Sequence, residues 1–203
     1  MDSSRRLLNI ACLQASPQPD FQSALDLAIS LGEEAIANGA EFIATPEYCG
    51  GLKTQGSTFA PPSAPEESHP VLNGLRAFAK TKNRFVLIGS IAIDGPDKKI
   101  LNRSFLIDND GNIVSRYDKI HLFDINLSEQ QSYCESATVR GGNNAVLCQT
   151  RSQKWVRQSV MTFASRSSIV SCLNQARKSS LSQPPLPKRP GRPIGMCSTE
   201  RGL

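Results

Sequence analysis

The sequence predicts an α/β fold, in which helices pack on a layered sheet. Segments with the periodicity of strands and helices alternate along residues 7–150. The strands are also continuously apolar, as in RFVLIGSIAI (84–93), which is typical of strands that are covered on both faces. With 203 residues, of which 39% are hydrophobic, the chain can form one sizeable core.

The first part of this region predicts a strand, a helix and a second strand. LLNIACL (7–13) has the apolar character of a buried strand. Asp20 is a favourable N-cap for the helix that follows, and Asn38-Gly39 is a typical stop signal for that helix. Beyond the stop signal, EFIAT (41–45) predicts a short strand.

The second part predicts another helix and a group of strands. Residues 50–70 are rich in Gly, Ser and Pro, which predicts a loop. Apolar residues at helical spacing then predict a helix: Val71, Leu72, Leu75, Phe78 and Ala79. After the strand at 84–93, LNRSFLID (101–108) predicts a further strand. Asp110-Gly111 is a strong turn signal that leads into NIVSRYDKIHLF (112–123), so we expect a hairpin here.

The distribution of charge separates residues 151–203 from the rest of the chain. Residues 1–150 contain 13 Lys and Arg against 17 Asp and Glu, a net charge of −4, whereas residues 151–203 contain 10 against one, a net charge of +9. LSQPPLPKRPGRPIG (181–195) is incompatible with a helix or a central strand. We therefore expect a folded domain at 7–150 and a disordered, low-complexity basic tail at 151–203.

Several classes of protein are disfavoured by the composition. The apolar run near the N-terminus is interrupted by Asn9 and Gln14 and has no cleavage site, so we expect no signal peptide. No stretch approaches the roughly 20 apolar residues of a membrane span. The cysteines have no metal-binding spacing and predict reduced thiols in a cytoplasmic protein without a metal site: Cys12, Cys49, Cys134, Cys148, Cys172 and Cys197.

Two charged residues occupy positions that permit a functional role, although neither position favours one by itself. Glu47 directly follows a predicted strand, where α/β proteins bind ligands, so it is a candidate general base. The alternative for Glu47 is an exposed loop acid. Lys119 has apolar neighbours that predict a buried strand: Ile120, Leu122 and Phe123. A buried ammonium needs negative charge nearby, although a lysine at a strand end can also reach solvent.

Three blocks of sequence resemble the nitrilase superfamily of carbon-nitrogen hydrolases: FIATPEYCGG (42–51), NRSFLIDNDGNIVSRYDKIHLFDI (102–125) and SYCESATVRGG (132–142). The resemblance extends from about Ile10 to Thr150. HLFDI, followed by Glu-Ser and a glycine turn, is similar to the branch that contains omega-amidases and deaminated-glutathione amidases. That branch cleaves amides of small carboxylic acids.

The resemblance implies the N-terminal half of an α-β-β-α sandwich that carries a Glu-Lys-Cys triad. Glu47 matches the glutamate that accepts the proton of the cysteine thiol, and Lys119 matches the lysine that stabilises the oxyanion. Glu135 matches a second glutamate that holds the lysine and the substrate in place. The resemblance further implies a small-molecule amide substrate, no metal or organic cofactor, and a homo-oligomer as the intact assembly.

The cysteine that the resemblance requires is absent from its expected place near Ser159-Val160. It should lie shortly after the third block, in a segment G-[KR]-x-G-x-x-[IV]-C-Y-D-x-R-F-P. The sequence has QKWVRQSVMTFASRSSIV (153–170) instead, with no cysteine between Cys148 and Cys172. Neither of these two cysteines fits the motif, so we assign no nucleophile.

A shifted reading frame accounts for this segment. If the last base of each codon joins the first two of the next, Trp155-Val156 must encode glycine, Met161-Thr162 must encode aspartate, and Ser159-Val160 can encode cysteine. The shifted frame then permits G-x-x-[IV]-C-Y-D-L-R-F-P, which is the missing motif. We therefore predict a frame change between about Thr150 and Trp155, and the charge of the tail becomes an accident of codons rather than a sign of nucleic-acid binding.

On this interpretation the chain is a truncated and inactive member of the superfamily. Two alternatives stay open, namely a non-catalytic fragment that associates with intact subunits and a basic tail that binds nucleic acid. Without the second half of the sandwich, the strands at 84–123 would lack the sheet against which they should pack. We therefore expect a low soluble yield.

Overall fold

The computed structural model describes residues 8–55, 58–128, 131–144, 146–148 and 159–161. In this described part the strands are, in chain order, β1 (Ile10–Cys12), β2 (Phe42–Ala44), β3 (Lys53–Gln55), β4 (Thr58–Ala60), β5 (Ser63–Ala64), β6 (Phe85–Asp94), β7 (Ile100–Ile107), β8 (Ile113–Asp118), β9 (Asp124–Ser128), β10 (Gln131–Cys134), β11 (Val146–Cys148) and β12 (Ser159–Met161). The helices are α1 (Phe21–Ala37) and α2 (Pro70–Lys82), with 3-10 turns at Glu66–Ser68, Pro96–Lys98 and Glu135–Ala137.

A mixed sheet of six strands forms the centre of the molecule. Its order is β1-β2-β6-β7-β8, with β5 also paired to β6. The strands β1, β2 and β6 are parallel, whereas β7 is antiparallel to both β6 and β8. The two antiparallel steps return β8 to the direction of β2, so the carboxyl ends of β2 and β8 lie at the same edge of the sheet. This architecture confirms the predicted α/β fold.

Two helices cover one face of this sheet. The carboxylate of Asp20 accepts a backbone N–H of the first turn of α1 at 2.9 Å. The helix ends at Asn38, and Gly39 follows with a φ of 88°. Both predicted boundaries of α1 are therefore confirmed. The helices and the sheet share a buried apolar core: Ala24, Ala28, Val71, Leu72, Leu75, Phe78, Ala79, Val86, Ile88, Phe105 and Ile107.

The opposite face of the sheet has a second, smaller core. Phe42 of β2 and Phe85 of β6 stack with their ring centroids 6.4 Å apart. Leu106 of β7 and Cys148 of β11 are buried with them. Since successive residues of a strand point to opposite faces, the central strands supply both cores. Nearly all residues of β6 are buried, which confirms the prediction of a strand covered on both faces.

The structure corrects three details of the prediction. Within the described sheet β1 is an edge strand, and Ile10 is 56% exposed rather than buried. Strand β8 ends at Asp118, and Phe123 beyond it is 54% exposed, so the expected buried strand around Lys119 does not form. The segment 50–70 contains β3, β4, β5 and a 3-10 turn rather than a plain loop. In each case the outcome depends on which distant neighbours cover the segment, and a local sequence pattern does not contain this information.

Most of the tail predicted at 151–203 lies outside the described residues. Within it the structure describes Ser159–Met161, which form β12 and pair antiparallel with β11, with Cys148 opposite Ser159. These three residues are extended and paired, which the prediction of a disordered tail did not anticipate. The expected position of the nucleophile, Ser159-Val160, therefore lies on a strand next to one that contributes to the smaller core.

His69 makes the stability of the fold depend on pH. Its side chain is fully buried at the start of α2, where Nδ1 accepts the N–H of Leu72, and burial lowers its pKa from 6.5 to about 4. An unfolded chain binds a proton near pH 6.5, whereas the folded chain does not, so stability that is present above pH 6.5 is lost as the pH falls to 4. We expect a loss of about 2–3 kcal/mol in the free energy of unfolding.

Urea denaturation between pH 7 and pH 4.5 measures this loss. His69→Asn keeps a capping acceptor and removes the titrating group, so its stability should change less over this interval than that of the wild type. Lys80→Met, at an exposed position of the same helix, α2, is the control and should keep the pH dependence of the wild type. The same pH dependence in His69→Asn and wild type would contradict the assignment.

Candidate active site

The three site residues predicted from the sequence meet at one edge of the sheet. The Nζ atom of Lys119 lies 3.1 Å from Oε1 of Glu47 and 2.9 Å from Oε2 of Glu135. Glu47 follows the carboxyl end of β2, Lys119 follows that of β8, and Glu135 begins the 3-10 turn after β10. Segments far apart in the sequence therefore form one cluster of two carboxylates and one ammonium.

A bulge in β6 holds the turn that carries Glu47. Gly89 and Ser90 of β6 lie where the register with β7 shifts, between Ile88 and Ile91. The N–H of Gly89 donates to Oγ1 of Thr45 at 3.1 Å, and the N–H of Ser90 donates to the carbonyl of Pro46 at 3.3 Å. A Cβ atom at Gly89 would collide with the carbonyl groups of Thr45 and Pro46, so only glycine permits this close approach.

Glu135 is the most buried member of the cluster. Its side chain is 4% exposed, and besides Lys119 it accepts hydrogen bonds from the N–H of Phe123 at 2.6 Å and the hydroxyl of Tyr48 at 3.2 Å. Burial opposes ionisation, but the N–H of Phe123 and the ammonium of Lys119 outweigh it and lower the pKa of Glu135. Glu135 is therefore a buried carboxylate that stays ionised at neutral pH.

Asn102 of β7 links the two carboxylates. Its Nδ2 donates to Oε1 of Glu47 at 2.7 Å and, at the longer distance of 3.4 Å, to Oε1 of Glu135. Asn102 was not among the site residues predicted from the sequence. A polar residue inside an apolar strand was the available signal, since a buried amide needs partners.

Lys119 is the cation between these groups. Its side chain is 19% exposed, against 49% for Glu47. Burial opposes its charge, but Glu135 and Glu47 outweigh this effect and raise its pKa. Glu47 is thus an accessible carboxylate next to a largely buried ammonium. Such a pair can accept a proton and stabilise negative charge that develops nearby.

On the helix side of the sheet, an ion pair fixes the strand end that precedes Lys119. The guanidinium of Arg103 binds both oxygens of Asp118, at 2.6 Å and 2.9 Å. Its third contact is with Glu66, at 2.7 Å, in the 3-10 turn before α2. These residues therefore hold β7 and β8 in register from the face of the sheet opposite to Asn102 and Lys119.

Among the described residues, the thiols of Cys49, Cys134 and Cys148 hydrogen-bond to groups outside the cluster, at Thr45, Ser136 and Val114 respectively. Cys49 is close in sequence to Glu47, but burial raises the pKa of its thiol to about 11. Burial also raises the pKa of Cys148, so both are poor nucleophiles at neutral pH. Cys172 lies outside the described residues.

Two further features are absent from the described ranges. They contain no group of His, Cys, Asp and Glu side chains that could hold a metal ion. They contain no helix that is both long enough and apolar enough to cross a membrane.

The described residues have an α/β fold of the nitrilase-like type. A family model described as carbon-nitrogen hydrolase matches residues 9–157. The chain belongs to the carbon-nitrogen hydrolase family. This match confirms the resemblance that the sequence blocks indicated.

Individual relatives agree with this assignment. Nitrilase homolog 2 of Dictyostelium discoideum is 32% identical over 145 residues, which are 71% of this chain and 44% of that protein. Deaminated glutathione amidase of a Synechocystis strain is 30% identical over 138 residues, which are 65% of this chain and 48% of that protein. The chain thus spans about half the length of the curated relatives it matches.

Among solved structures, the C. elegans NitFhit protein is similar in fold, with a TM-score of 0.59 and 19% identity. The similar region covers 71% of this chain and 36% of that protein. At this level of identity the likeness concerns the fold alone.

Removal of the Lys119 ammonium should destabilise the fold. Lys119→Met would leave the buried carboxylate of Glu135 without its cation, so we expect the free energy of unfolding at pH 7 to fall by about 2 kcal/mol. The loss should shrink as the pH falls, because Glu135 takes up a proton more readily without its cation and then carries no uncompensated buried charge.

Urea denaturation of the variant and the wild type at pH 7 measures this effect. Lys80→Met, at an exposed position of α2, serves as the control and should change the free energy of unfolding by less than about 0.5 kcal/mol. Equal effects of the two substitutions would count against the cluster.

Proposed function

We propose that residues 7–150 are part of an amidase domain that cleaves the amide of a small carboxylic acid. The observation that carries this proposal is the position of Lys119, whose ammonium lies between Glu47 and Glu135 at the carboxyl ends of β2 and β8. Family membership supports the reaction class, and the name of the Synechocystis relative supports an amide of a small acid as substrate.

In the proposed mechanism, Glu47 is the general base. It accepts the proton of a cysteine thiol, and the thiolate attacks the carbonyl carbon of the amide. The ammonium of Lys119 stabilises the oxyanion of the tetrahedral intermediate. Glu47 then gives its proton to the departing amine or ammonia, which leaves a thioester. Water, activated by the same carboxylate, hydrolyses the thioester and releases the acid.

The remaining residues hold this arrangement. Glu135 lies 2.9 Å from the ammonium of Lys119 and keeps it charged. It also holds the ammonium close to Glu47, at a distance of 3.1 Å. Asn102 donates to both carboxylates and so limits their movement. The reaction needs no metal or organic cofactor in this scheme. By analogy with the family, we propose a homo-oligomer for the intact enzyme, in the cytoplasm and away from membranes.

The nucleophile is missing from this chain in our proposal. The expected position, Ser159-Val160, carries no cysteine, and Cys49 and Cys148 have raised thiol pKa values. We attribute the difference to a change of reading frame between about Thr150 and Trp155, so that residues 151–203 are out of frame. The chain as written should then be inactive.

Peptide mass spectrometry of the native protein tests the reading frame. Trypsin should release a peptide that contains Cys-Tyr-Asp-Leu-Arg if the natural protein follows the shifted frame. Detection of QSVMTFASR, which spans residues 158–166, would instead establish the sequence as written and would place the frame change in the gene or the transcript.

Ammonia release from amides of small carboxylic acids tests the roles of the residues. The chain as written should have no activity, whereas the product of the restored frame should be active. In the restored protein, Glu47→Gln should lower kcat/KM by about a hundredfold or more, because the base is lost. Glu34→Gln, on the exposed side of α1, is the matched control and should keep full activity. Full activity of Glu47→Gln would contradict the mechanism.

A further inference from the structure

Tyr48 has a backbone conformation that tyrosine rarely adopts. Its φ is 51°, in the left-handed region that disfavours residues with a side chain. Its N–H donates to Oγ of Ser90 at 3.0 Å, and the N–H of Cys49 donates to the carbonyl of Ser90 at 3.0 Å. Two hydrogen bonds to the β6 bulge therefore stabilise the strained turn. Strain of this kind often marks a functional position.

The hydroxyl of Tyr48 reaches the other side of the site. It donates to Oε1 of Glu135 at 3.2 Å, across 87 positions in the sequence. Glu135 is almost fully buried, so water cannot supply a hydrogen-bond donor to its carboxylate. The hydroxyl of Tyr48 supplies one instead. Tyr48 thus provides a neutral donor for a carboxylate whose charged partner is Lys119.

These contacts close a loop of interactions around Lys119. Glu47 and Glu135 both contact its ammonium, and Tyr48 is covalently next to Glu47 and hydrogen-bonded to Glu135. Tyr48 therefore links the turn that carries Glu47 to the carboxylate of Glu135.

We propose that Tyr48 is a positioning residue that sets the separation of Glu47 and Glu135, so that both carboxylates hold the ammonium of Lys119. Its importance for catalysis rests on the proposed function. Its effect on Lys119 does not, because the contacts exist without substrate or turnover. Tyr48 acts through these charged groups and needs no contact with the reacting atoms.

Competitive acetylation of lysines at pH 8, followed by mass spectrometry, tests this role. An ammonium held by two carboxylates reacts slowly, because only the neutral amine attacks the reagent. Tyr48→Phe keeps the ring and removes the donor that anchors Glu135. Because the two carboxylates should then no longer both hold the ammonium, acetylation of Lys119 should rise about threefold or more. The rates at Lys53 and Lys80, which are exposed, serve as internal references and should not change.

Two further variants make the result decisive. Ile107→Val removes a buried methylene from the helix-side core at the end of β7 remote from Asn102 and destabilises the fold without touching the site, so acetylation of Lys119 should stay at the wild-type level. Ser90→Ala removes the acceptor of the Tyr48 N–H and should raise acetylation of Lys119, as Tyr48→Phe does. The proposal is overturned if neither Tyr48→Phe nor Ser90→Ala raises it above the level in Ile107→Val. Since no turnover is measured, this result is independent of the test of amidase activity.

Discussion

The ammonium of Lys119 is the group on which the site depends. Its side chain is only 19% exposed, and its withdrawal from water is offset by carboxylates at 2.9 Å and 3.1 Å. Glu135 depends on the ammonium in turn, because an isolated carboxylate at that depth would cost on the order of several kcal/mol. The ion pairs are therefore stable only if three distant segments of the chain converge.

The sheet brings about this convergence. β2 and β8 point in the same direction, so the residues that follow their carboxyl ends, Glu47 and Lys119, reach the same edge. Between them, β7 supplies Asn102 on the site side and Arg103 on the helix side. The bulge in β6 hydrogen-bonds to the turn after β2 and holds it at this edge. The strands fix the direction of the segments that carry Glu47 and Lys119. The bulge in β6 and the ion pairs then fix where these two side chains lie.

Much of this could be predicted from the sequence, because its signals are local. The cap at Asp20, the stop at Asn38-Gly39 and the apolar run of β6 each lie within one segment. The exposure of Ile10 and Phe123 depends on neighbours far away in the sequence, so the local pattern gave the wrong answer. Glu47 and Lys119 were noticed from their positions and, together with Glu135, received their roles through resemblance to a family, whereas Asn102 and Tyr48 act through contacts that only the folded chain creates.

The central claim is that Lys119 and its carboxylates belong to an amidase site whose cysteine is displaced by a change of reading frame. The nucleotide sequence of genomic DNA and transcript across codons 148–162 tests this claim most directly. The account predicts a serine codon at Ser159 that ends in T, so that the shifted frame with Val160 gives cysteine. It also predicts an inserted or deleted base, or an altered splice joint, between codons 150 and 155. A Ser159 codon that ends in any other base would contradict the account.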